Sequence, residues 1–203
     1  MRIGLALPQY DYSVPGESPL RWDTLLEHAQ RAEALGFDSL WLVDHPLTAT
    51  RDCWVGLAAA AQRTSRLRLG SLTSCIYYRS PVLLARMAAD VDAVSNGRLV
   101  LGLGIGDNVA EFAQLGIPFP GVVQRQQQLA ETIAVVRGLW TGEPFTFEGE
   151  QIRVDGARLQ SPPSRHVPLL ICGGGERVTL RQVAEFADMA NFGPHAWVGN
   201  AVT

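Results

Sequence analysis

The sequence of 203 residues contains no lysine, and all 17 of its basic residues are arginine. Cysteine is scarce too, with Cys53, Cys75 and Cys172 far apart in the chain. The missing lysine excludes a Walker-type phosphate loop, which needs one. Three separated cysteines without a CxxC pair argue against a disulfide framework or a zinc site, so we expect reduced thiols.

Long apolar runs and basic tracts are missing as well. The N-terminal apolar run ends at Pro8, which makes it too short for a signal peptide or a membrane span. The formal net charge is −3 and the charges are spread along the chain, which argues against nucleic acid or an anionic membrane as a partner. We therefore expect a cytoplasmic protein that acts on a small molecule.

Short apolar runs alternate with stretches of helical periodicity. This alternation predicts the parallel sheet of an α/β protein, either doubly wound or a (β/α)8 barrel. The predicted strands span 3–8, 37–44, 66–74, 98–106, 167–175 and 188–193, the predicted helices span 21–36, 54–64, 81–95, about 124–140 and 176–187, and a hairpin is expected near 143–156.

The number of strand–helix units falls short of a complete barrel. Six units end near Gly193, whereas a barrel has eight and typically takes about 250 residues. The last residues, 195–203, resemble the start of a helix cap. We therefore expect a single domain over residues 1–203 that represents about three-quarters of a barrel, with the C-terminal units missing.

The stretch RLVLGLGIGDNVAEF, residues 98–112, carries three closely spaced glycines. A dinucleotide-binding fingerprint needs a glycine at its sixth position. Counted from Gly102 this position is Asp107, and counted from Gly104 it is Val109, so the fingerprint is excluded. A period of two instead separates the bulky residues from the glycines. The two faces are Leu99, Leu101, Leu103 and Ile105 against Val100, Gly102, Gly104 and Gly106.

This glycine face has two interpretations. In a barrel, the bulky face packs on the helices and the glycine face points inward, where it lets a flat ligand approach the backbone near the catalytic mouth. Alternatively, the glycines only relieve crowding or mark a bulge.

Polar residues follow the predicted strands at the end where barrel enzymes have their active sites. Each has a structural explanation as well, because a histidine beside proline is commonly structural, an Asp–Asn pair can cap a helix and three glycines can form a tight turn. The glycine turn is the better anion candidate, since a helix N-terminus follows it. The residues that follow the predicted strands are Asp44 and His45, Ser74 and Cys75, Asp107, Asn108 and Glu111, and Gly173, Gly174 and Gly175.

The combined motifs resemble those of the luciferase-like (bacterial luciferase superfamily) flavin and deazaflavin oxidoreductases, over essentially the whole chain. The last motif is most similar to the branch that uses coenzyme F-420 (8-hydroxy-5-deazaflavin), and the FMN-dependent monooxygenases share most of the others. The motifs are AEALGFDSLWLVDH, TSRLRLGSLTS, YRSPVLLARMAADVDAVSNGRLVLGLGIGDNVAEF, LGIPFP, LWTGEPFTFEG and LLICGGGERVTLRQVAEFAD.

The resemblance implies a (β/α)8 barrel with a cofactor ring at its mouth and, often, a homodimer. The ring lies against the third and fourth strands, and the phosphate meets the turn formed by Gly173, Gly174 and Gly175. A non-proline cis peptide is expected at Ser74–Cys75. Ring-side contacts fall on Ser74, Cys75, Gly104, Gly106 and Asn108, with Asp44 at the polar edge of the ring.

The resemblance also implies the chemistry. His45 is expected to act as general acid or base, since histidine suits proton transfer near neutral pH, and Asp107 is expected to orient or assist it. Many family members carry tryptophan in place of Asp107, and phenylalanine in place of Pro46. Sugar-phosphate-oxidising members have tryptophan where this chain has Ala49, which argues against a substrate of the glucose 6-phosphate type.

The leading hypothesis is an oxidoreductase that transfers hydride between coenzyme F-420 and a small organic substrate. Two alternatives are an FMN-dependent monooxygenase and a non-catalytic protein that binds flavin or deazaflavin. A metallohydrolase has little support and no metal site is expected, because His28, His45, His166 and His195 show no HxH or HExxH spacing.

Overall fold

A computed structural model describes residues 2–8, 10–11, 18–175 and 177–192. Gly193, His195 and the helix cap expected within 195–203 lie outside these residues. Among the described helices, none is long and apolar enough to cross a membrane. In chain order the elements are β1 (Gly4–Ala6), β2 (Tyr10–Asp11), β3 (Ser18–Pro19), α1 (Trp22–Ala34), β4 (Ser39–Asp44), α2 (Cys53–Arg63), β5 (Arg68–Cys75), α3 (Pro81–Val94), β6 (Leu99–Gly104), α4 (Val109–Gln114), α5 (Val122–Trp140), β7 (Phe145–Glu148), β8 (Arg153–Ala157), β9 (Leu169–Cys172), α6 (Thr179–Phe186) and β10 (Met189–Asn191).

The order of strands in the sheet decides between the two predicted architectures. The sheet has six strands in the order β1-β4-β5-β6-β9-β10, and every neighbouring pair is parallel. A doubly wound sheet reverses its strand order at a switch point, whereas this sheet follows the chain from edge to edge. The expectation of a (β/α)8-type barrel, with six of its eight strands in the described residues, is therefore confirmed.

The helices begin and end at the residues whose chemistry favours a boundary. The Ser80 side chain accepts a hydrogen bond from the N–H of Leu83 and caps α3, with Pro81 in its first turn. After α3 the backbone turns through Asn96 and Gly97 at φ 57° and 75°, the left-handed conformation that ends helices. The short α4 was not predicted, because its six residues give too little periodicity.

The two faces of the sheet bury different sets of side chains. Leu99, Leu101 and Leu103 belong to the large cluster between sheet and helices. Val100 packs instead with Leu170 of the neighbouring strand β9 and with Trp41 of β4, two strands away, in a second cluster. The predicted division of β6 into a bulky, helix-facing side and a glycine side is therefore confirmed.

Strand β5 contains one residue more than its neighbours where its register shifts. From Gly70 to Ser74 it pairs with Val100 to Leu103 of β6, so four steps on β5 face three on β6, and a matching shift occurs against β4. The expected cis peptide at Ser74–Cys75 is wrong: the cis bond joins Leu72 and Thr73. Ser74 and Cys75 pair in regular register with β6, and the irregular geometry lies in the segment before them.

The irregular segment of β5 explains why one face of β6 carries glycines instead of larger side chains. A Cβ atom on Gly102 would overlap the backbone carbonyl oxygen of Ser71, and one on Gly104 would lie 2.5 Å from Oγ1 of Thr73. The Ser71 hydroxyl occupies the space with hydrogen bonds to the Gly102 carbonyl (2.9 Å) and from the Gly102 N–H (3.0 Å). Relief of crowding, the second interpretation of the glycines, therefore accounts for Gly102.

The hairpin formed by β7 and β8 lies at the place expected near 143–156. Its tip is held by Glu131 of α5, whose carboxylate accepts hydrogen bonds from the N–H groups of Glu150, Gln151 and Ile152 at 3.0, 3.1 and 2.9 Å. The insertion is therefore fixed to the helix layer rather than to the sheet.

Glu33 holds the loop between α2 and β5 in the same way. Its carboxylate accepts hydrogen bonds from the N–H groups of Ser65, Arg66 and Leu67. Burial raises the pKa of Glu33, but the hydrogen bonds from Arg66, Leu67 and Ser65 outweigh it and lower the pKa to about 2.

We expect Gly102→Ala to destabilise the protein by about 1–3 kcal/mol, because the rigid backbone of Ser71 leaves no room for a methyl group. Gly121→Ala is the control, since nothing lies within 4 Å of its Cβ position, and it should cost less than about 1 kcal/mol. Urea unfolding measures both. Equal losses would contradict the crowding explanation.

We expect Glu33→Gln to lower the free energy of unfolding at pH 7 by about 1–3 kcal/mol, because a charged acceptor of three N–H groups becomes neutral. The pKa of Glu33 in the folded protein lies below its ordinary value of 4.5, so the stabilisation is fully present above pH 4.5 and is lost as the pH falls towards 2. In urea unfolding, the difference in the free energy of unfolding between wild type and Glu33→Gln should therefore become smaller as the pH falls. The exposed Glu27→Gln is the control, and a gap that stays constant with pH would refute the assignment.

Candidate active site

The carboxyl ends of four neighbouring parallel strands carry the candidate residues. His45 follows β4, Tyr78 follows β5, Asp107 follows β6, and the glycine turn at 173–175 follows β9. Because parallel strands end at the same edge of a sheet, these groups share one rim of the barrel. This is the arrangement predicted from the strand ends.

The buried carboxylate of Glu111, on α4, is the centre of this rim. Its side chain is fully buried. One oxygen accepts hydrogen bonds from Nδ1 of His45 (2.8 Å) and the hydroxyl of Tyr78 (2.7 Å). The other accepts from the N–H groups of Leu47 (3.0 Å) and Thr48 (3.2 Å). Three separate segments of the chain thus meet on one carboxylate.

The charge on Glu111 fixes the chemistry of His45. Burial raises the pKa of Glu111, but the hydrogen bonds from Tyr78, His45, Leu47 and Thr48 outweigh it and lower the pKa to about 2. An ionised carboxylate can only accept, so Nδ1 of His45 carries the hydrogen. The other ring nitrogen, Nε2, is then the one that can take up or release a proton.

Tyr78 is a permanent donor in this network. Burial and its hydrogen bond to Glu111 raise the pKa of Tyr78 well above its usual value. Its ring also packs on Phe112 at a centroid distance of 5.6 Å. Tyr78 therefore orients Glu111 and does not itself exchange protons near neutral pH.

Asp44 is occupied by an ion pair. Both carboxylate oxygens accept from the guanidinium of Arg79, at 2.6 and 3.0 Å, and Asp44 is buried. It follows Leu40 and Leu42 on the helix-facing side of β4, whereas Trp41 belongs to the inner cluster. The geometry therefore does not favour the expected contact of Asp44 with the polar edge of a ring, and that contact stays a prediction.

The end of β5 lies next to the glycine-bearing side of β6. Ser74 is fully buried, and its hydroxyl has no hydrogen-bond partner among the described residues. Burial raises the pKa of Cys75 to about 12, so its thiol stays protonated and unreactive. Cys75 pairs with Gly104, and Cys172 follows the residue that pairs with Leu103 on the other side of β6.

Asp107 lies exposed on the loop after β6, and its charge contributes to the raised pKa values of Cys75, Cys172 and Tyr78. The next residue, Asn108, accepts a hydrogen bond from the N–H of Glu111 (3.1 Å) and caps α4. The structural explanation of Asn108 as a cap therefore holds, and Asp107 directly before it has an exposed side chain.

Arg125, from the first turn of α5, holds this loop in place. Its guanidinium donates to the carbonyl oxygens of Ile105 and Gly106, and its Nε donates to that of Pro120 (3.1 Å). It also stacks on the ring of Phe119 at 4.1 Å. The loop that carries Asp107 is thus fixed by a helix rather than by the sheet.

The glycine turn borders a cavity of about 380 Å³. Gly173 has φ +143°, a conformation that favours glycine. The helix that follows, α6, has Val178 at its N-cap and no side chain that accepts from its first turn. A helix N-terminus without a capping side chain leaves N–H groups for an anion.

Sequence reasoning missed the roles of Glu111, Tyr78 and Arg79. For Glu111 the sequence does hold a signal, because Asn108 three residues earlier gives the Asn-x-x-Glu spacing of a capped helix. For Tyr78 and Arg79 the sequence holds no comparable signal. Among the described residues, no group of three or more His, Cys, Asp or Glu side chains is placed to hold a metal ion.

We expect Glu111→Gln to lower the free energy of unfolding at pH 7 by about 1.5–3 kcal/mol, because it removes a charged acceptor. It should also release His45, so that long-range nitrogen–proton NMR spectra of the neutral ring change from the Nδ1–H form to a mixture of both forms. The exposed Glu185→Gln is the control. An unchanged ring form in Glu111→Gln would show that Glu111 does not set it.

Curated relatives with similar sequences are F420-dependent dehydrogenases. The chain is 34% identical over 179 residues to a protein of Amycolatopsis mediterranei named F420-dependent glucose-6-phosphate dehydrogenase, covering 83% of this chain and 51% of the relative. It is 33% identical over 163 residues to the F420-dependent hydroxymycolic acid dehydrogenase of Mycobacterium tuberculosis, covering 76% and 45%. The chain thus spans about half the length of the curated relatives it matches.

Solved structures share the fold. An F420-dependent secondary alcohol dehydrogenase in complex with an F420–acetone adduct is 29% identical, with a TM-score of 0.81 over 94% of this chain and 57% of that one. The EDTA monooxygenase of Chelativorans sp. BNC1, at 21% identity and a TM-score of 0.82, shows the fold alone, over 94% and 53%. The family model described as luciferase-like monooxygenase matches residues 1–198. The chain therefore belongs to the luciferase-like monooxygenase family.

Proposed function

We propose that this chain is part of an oxidoreductase that transfers hydride between coenzyme F-420 and a small organic substrate. The observation that carries the proposal is the contact of His45 Nδ1 with the buried Glu111 carboxylate (2.8 Å), which reserves Nε2 for proton exchange at the barrel mouth. The names of the F420-dependent relatives and of the F420-bound neighbour support the choice of cofactor.

The residues present fit such a cofactor. The support is the hydroxyl of Ser74, a proposed ring contact, which is buried and has no hydrogen-bond partner among the described residues; the Cβ positions of Gly102, Gly104 and Gly106 are occupied by neighbouring protein atoms. Ser74, Cys75, Gly104, Gly106 and Asn108 stay the proposed ring contacts. When bound, the deazaflavin supplies a carbon that accepts or donates hydride.

The phosphate of the cofactor is assigned to the turn of Gly173, Gly174 and Gly175. The support is the uncapped N-terminus of α6 and the adjoining cavity of about 380 Å³. Backbone N–H groups and the positive end of the helix dipole bind an anion there without lysine.

The chain's own residues manage the proton. His45 exchanges a proton with the oxygen of the substrate through Nε2, and Glu111 holds the ring so that this nitrogen is free. Asp107 is proposed to assist from the neighbouring strand end. The buried pair of Asp44 and Arg79 positions the end of β4, and thereby His45.

An FMN-dependent monooxygenase is the second candidate. It is favoured by the monooxygenases among the structural neighbours, including RslO1 from Streptomyces bottropensis at 25% identity and a TM-score of 0.76. A non-catalytic binding protein is the third. Titration with each cofactor, followed by fluorescence, separates the first two, and turnover by the isolated chain would exclude the third.

The substrate stays a proposal. Ala49 lies one turn after His45, with its N–H bonded to the His45 carbonyl (3.0 Å), so a small side chain stands near the proposed base at the position where tryptophan is expected in sugar-phosphate-oxidising members. We therefore retain the prediction that the substrate is not of the glucose 6-phosphate type. The cytoplasmic location and the homodimer also stay predictions.

We expect His45→Ala to slow hydride transfer by about 10²–10⁴-fold, because general acid–base catalysis contributes that much. Stopped-flow absorbance of coenzyme F-420 with 2-propanol and related secondary alcohols measures the rate, and fluorescence titration should show unchanged cofactor affinity. His28→Ala, on α1, is the control. Unchanged rates in His45→Ala would refute the assignment, and binding of FMN without binding of F-420 would refute the proposed cofactor.

A further inference from the structure

The helix that carries Glu111 is short, and few of its side chains hold it in place. Of the six residues of α4, only Glu111 and Phe112 are buried. A helix of this length is not stable by itself, so its position depends on the contacts of these two side chains. Glu111 supplies the polar contact, with His45 and Tyr78, and Phe112 supplies the apolar one.

Phe112 is fully buried among other rings. The centroid of its ring lies 5.6 Å from those of both Tyr77 and Tyr78, and the Tyr78 hydroxyl donates to Glu111. A Cβ on Gly106 would come within 2.7 Å of the Phe112 ring, so this ring also packs against the loop after β6. A displacement of Phe112 would therefore disturb Glu111, which precedes it on α4, and the tyrosine that binds Glu111.

The motif LGIPFP, residues 115–120, adds a third aromatic side chain to this packing. The half-buried Phe119 meets the Phe112 ring edge-on, with centroids 4.9 Å apart and planes at 87°. The guanidinium of Arg125 lies over the Phe119 ring, 4.1 Å from its centroid. Edge-to-face rings and cation–π contacts both favour one fixed geometry beyond the burial of apolar area. Phe119 thus connects Phe112 to Arg125.

The hydrogen bonds of Arg125 extend this connection to the loop that carries Asp107. Its guanidinium donates to the carbonyl oxygens of Ile105 (3.2 Å) and Gly106, and its Nε donates to that of Pro120 (3.1 Å). The loop after β6, the segment after α4 and the first turn of α5 therefore meet on one planar cation. A lysine at this position would keep the charge but not the planar fork of donors.

We propose that Phe119 is a positioning residue for His45. It joins Phe112 to Arg125, holds α4 against the loop after β6, and thereby keeps Glu111 in place as the partner of Nδ1 of His45. Phe119 acts on His45 through Phe112 and Glu111. The catalytic consequence of this arrangement rests on the proposed function, whereas the hydrogen bonding of the His45 ring can be measured without cofactor or substrate.

The test uses Phe119→Leu, which keeps an apolar side chain but removes the ring that both partners contact. Long-range nitrogen–proton NMR spectra of the neutral His45 ring should show the Nδ1–H form in wild type and a mixture of both forms in Phe119→Leu. The N–H groups of Phe112, Leu115 and Ile117 bond to carbonyl oxygens in and around α4. Their hydrogen exchange should become about three- to tenfold faster, the range expected for the loss of ring contacts.

Three further variants serve as comparisons. Phe119→Tyr keeps the ring and should behave like wild type. Arg125→Lys loses the planar fork and should change the His45 ring in the same direction as Phe119→Leu. Phe145→Leu is the matched control, because Phe145 is also half-buried and stacks on Phe147 at a centroid distance of 6.3 Å, but in the hairpin. It should lower the thermal stability and leave the His45 ring and the exchange of α4 unchanged.

Three results would overturn the proposal. The first is a His45 ring that keeps the Nδ1–H form in Phe119→Leu. The second is an equal change of the ring in Phe145→Leu, which would point to a general loss of stability. The third is an Arg125→Lys variant whose His45 ring and α4 exchange match those of wild type.

Hydride transfer is measured separately, with coenzyme F-420 at saturation and 2-propanol as the substrate. Phe119→Leu should lower the rate about two- to threefold, because only rings with a free Nε2 exchange a proton in the proposed way. A wild type without hydride transfer would refute the proposed function, and the NMR results would still decide the role of Phe119. A wild type that transfers hydride, together with an unchanged ring in Phe119→Leu, would refute the role of Phe119 alone.

Discussion

The buried carboxylate of Glu111 is the group on which the candidate site depends. An ionised carboxylate that is removed from water must be surrounded by hydrogen-bond donors, because only their hydrogen bonds offset the free-energy cost of its desolvation. The donors come from the loop after β4 and from the segment after β5, and the helix that carries Glu111 follows β6. The geometry of three strand ends is therefore set by one charge, and the orientation of His45 is one of its consequences.

Two other glutamates, which have no proposed catalytic role, bind backbone N–H groups in a similar way. Glu33 and Glu131 each accept hydrogen bonds from three consecutive backbone N–H groups, one in the loop before β5 and one at the tip of the hairpin. Loops that leave backbone N–H groups without a ladder partner need such acceptors. What distinguishes Glu111 is that a histidine, which can exchange protons near neutral pH, is among its donors.

The fold was predictable because its signals are local. The period of two in β6 and the caps of α3 depend on residues next to one another in the chain, and both agree with the structure. The Glu111 network was not predictable, since His45 and Tyr78 lie 66 and 33 residues away from it. The cis bond lies two peptide bonds before the expected one, within the segment where β5 shifts register against both of its neighbours, and no single strand reveals such a shift.

The first turns of α5 connect the two ends of the site. Arg125 holds the loop that carries Asp107, and Gln126 reaches Thr179 beside the glycine turn. Consecutive residues on a helix point about 100° apart, so neighbouring side chains serve two different loops from one rigid element. The position of the Asp107 loop relative to the glycine turn is therefore linked through the backbone of this helix. The proposed cofactor, which spans both loops, must match the spacing between them, so α5 limits the length of the ligand that the proposed site accepts.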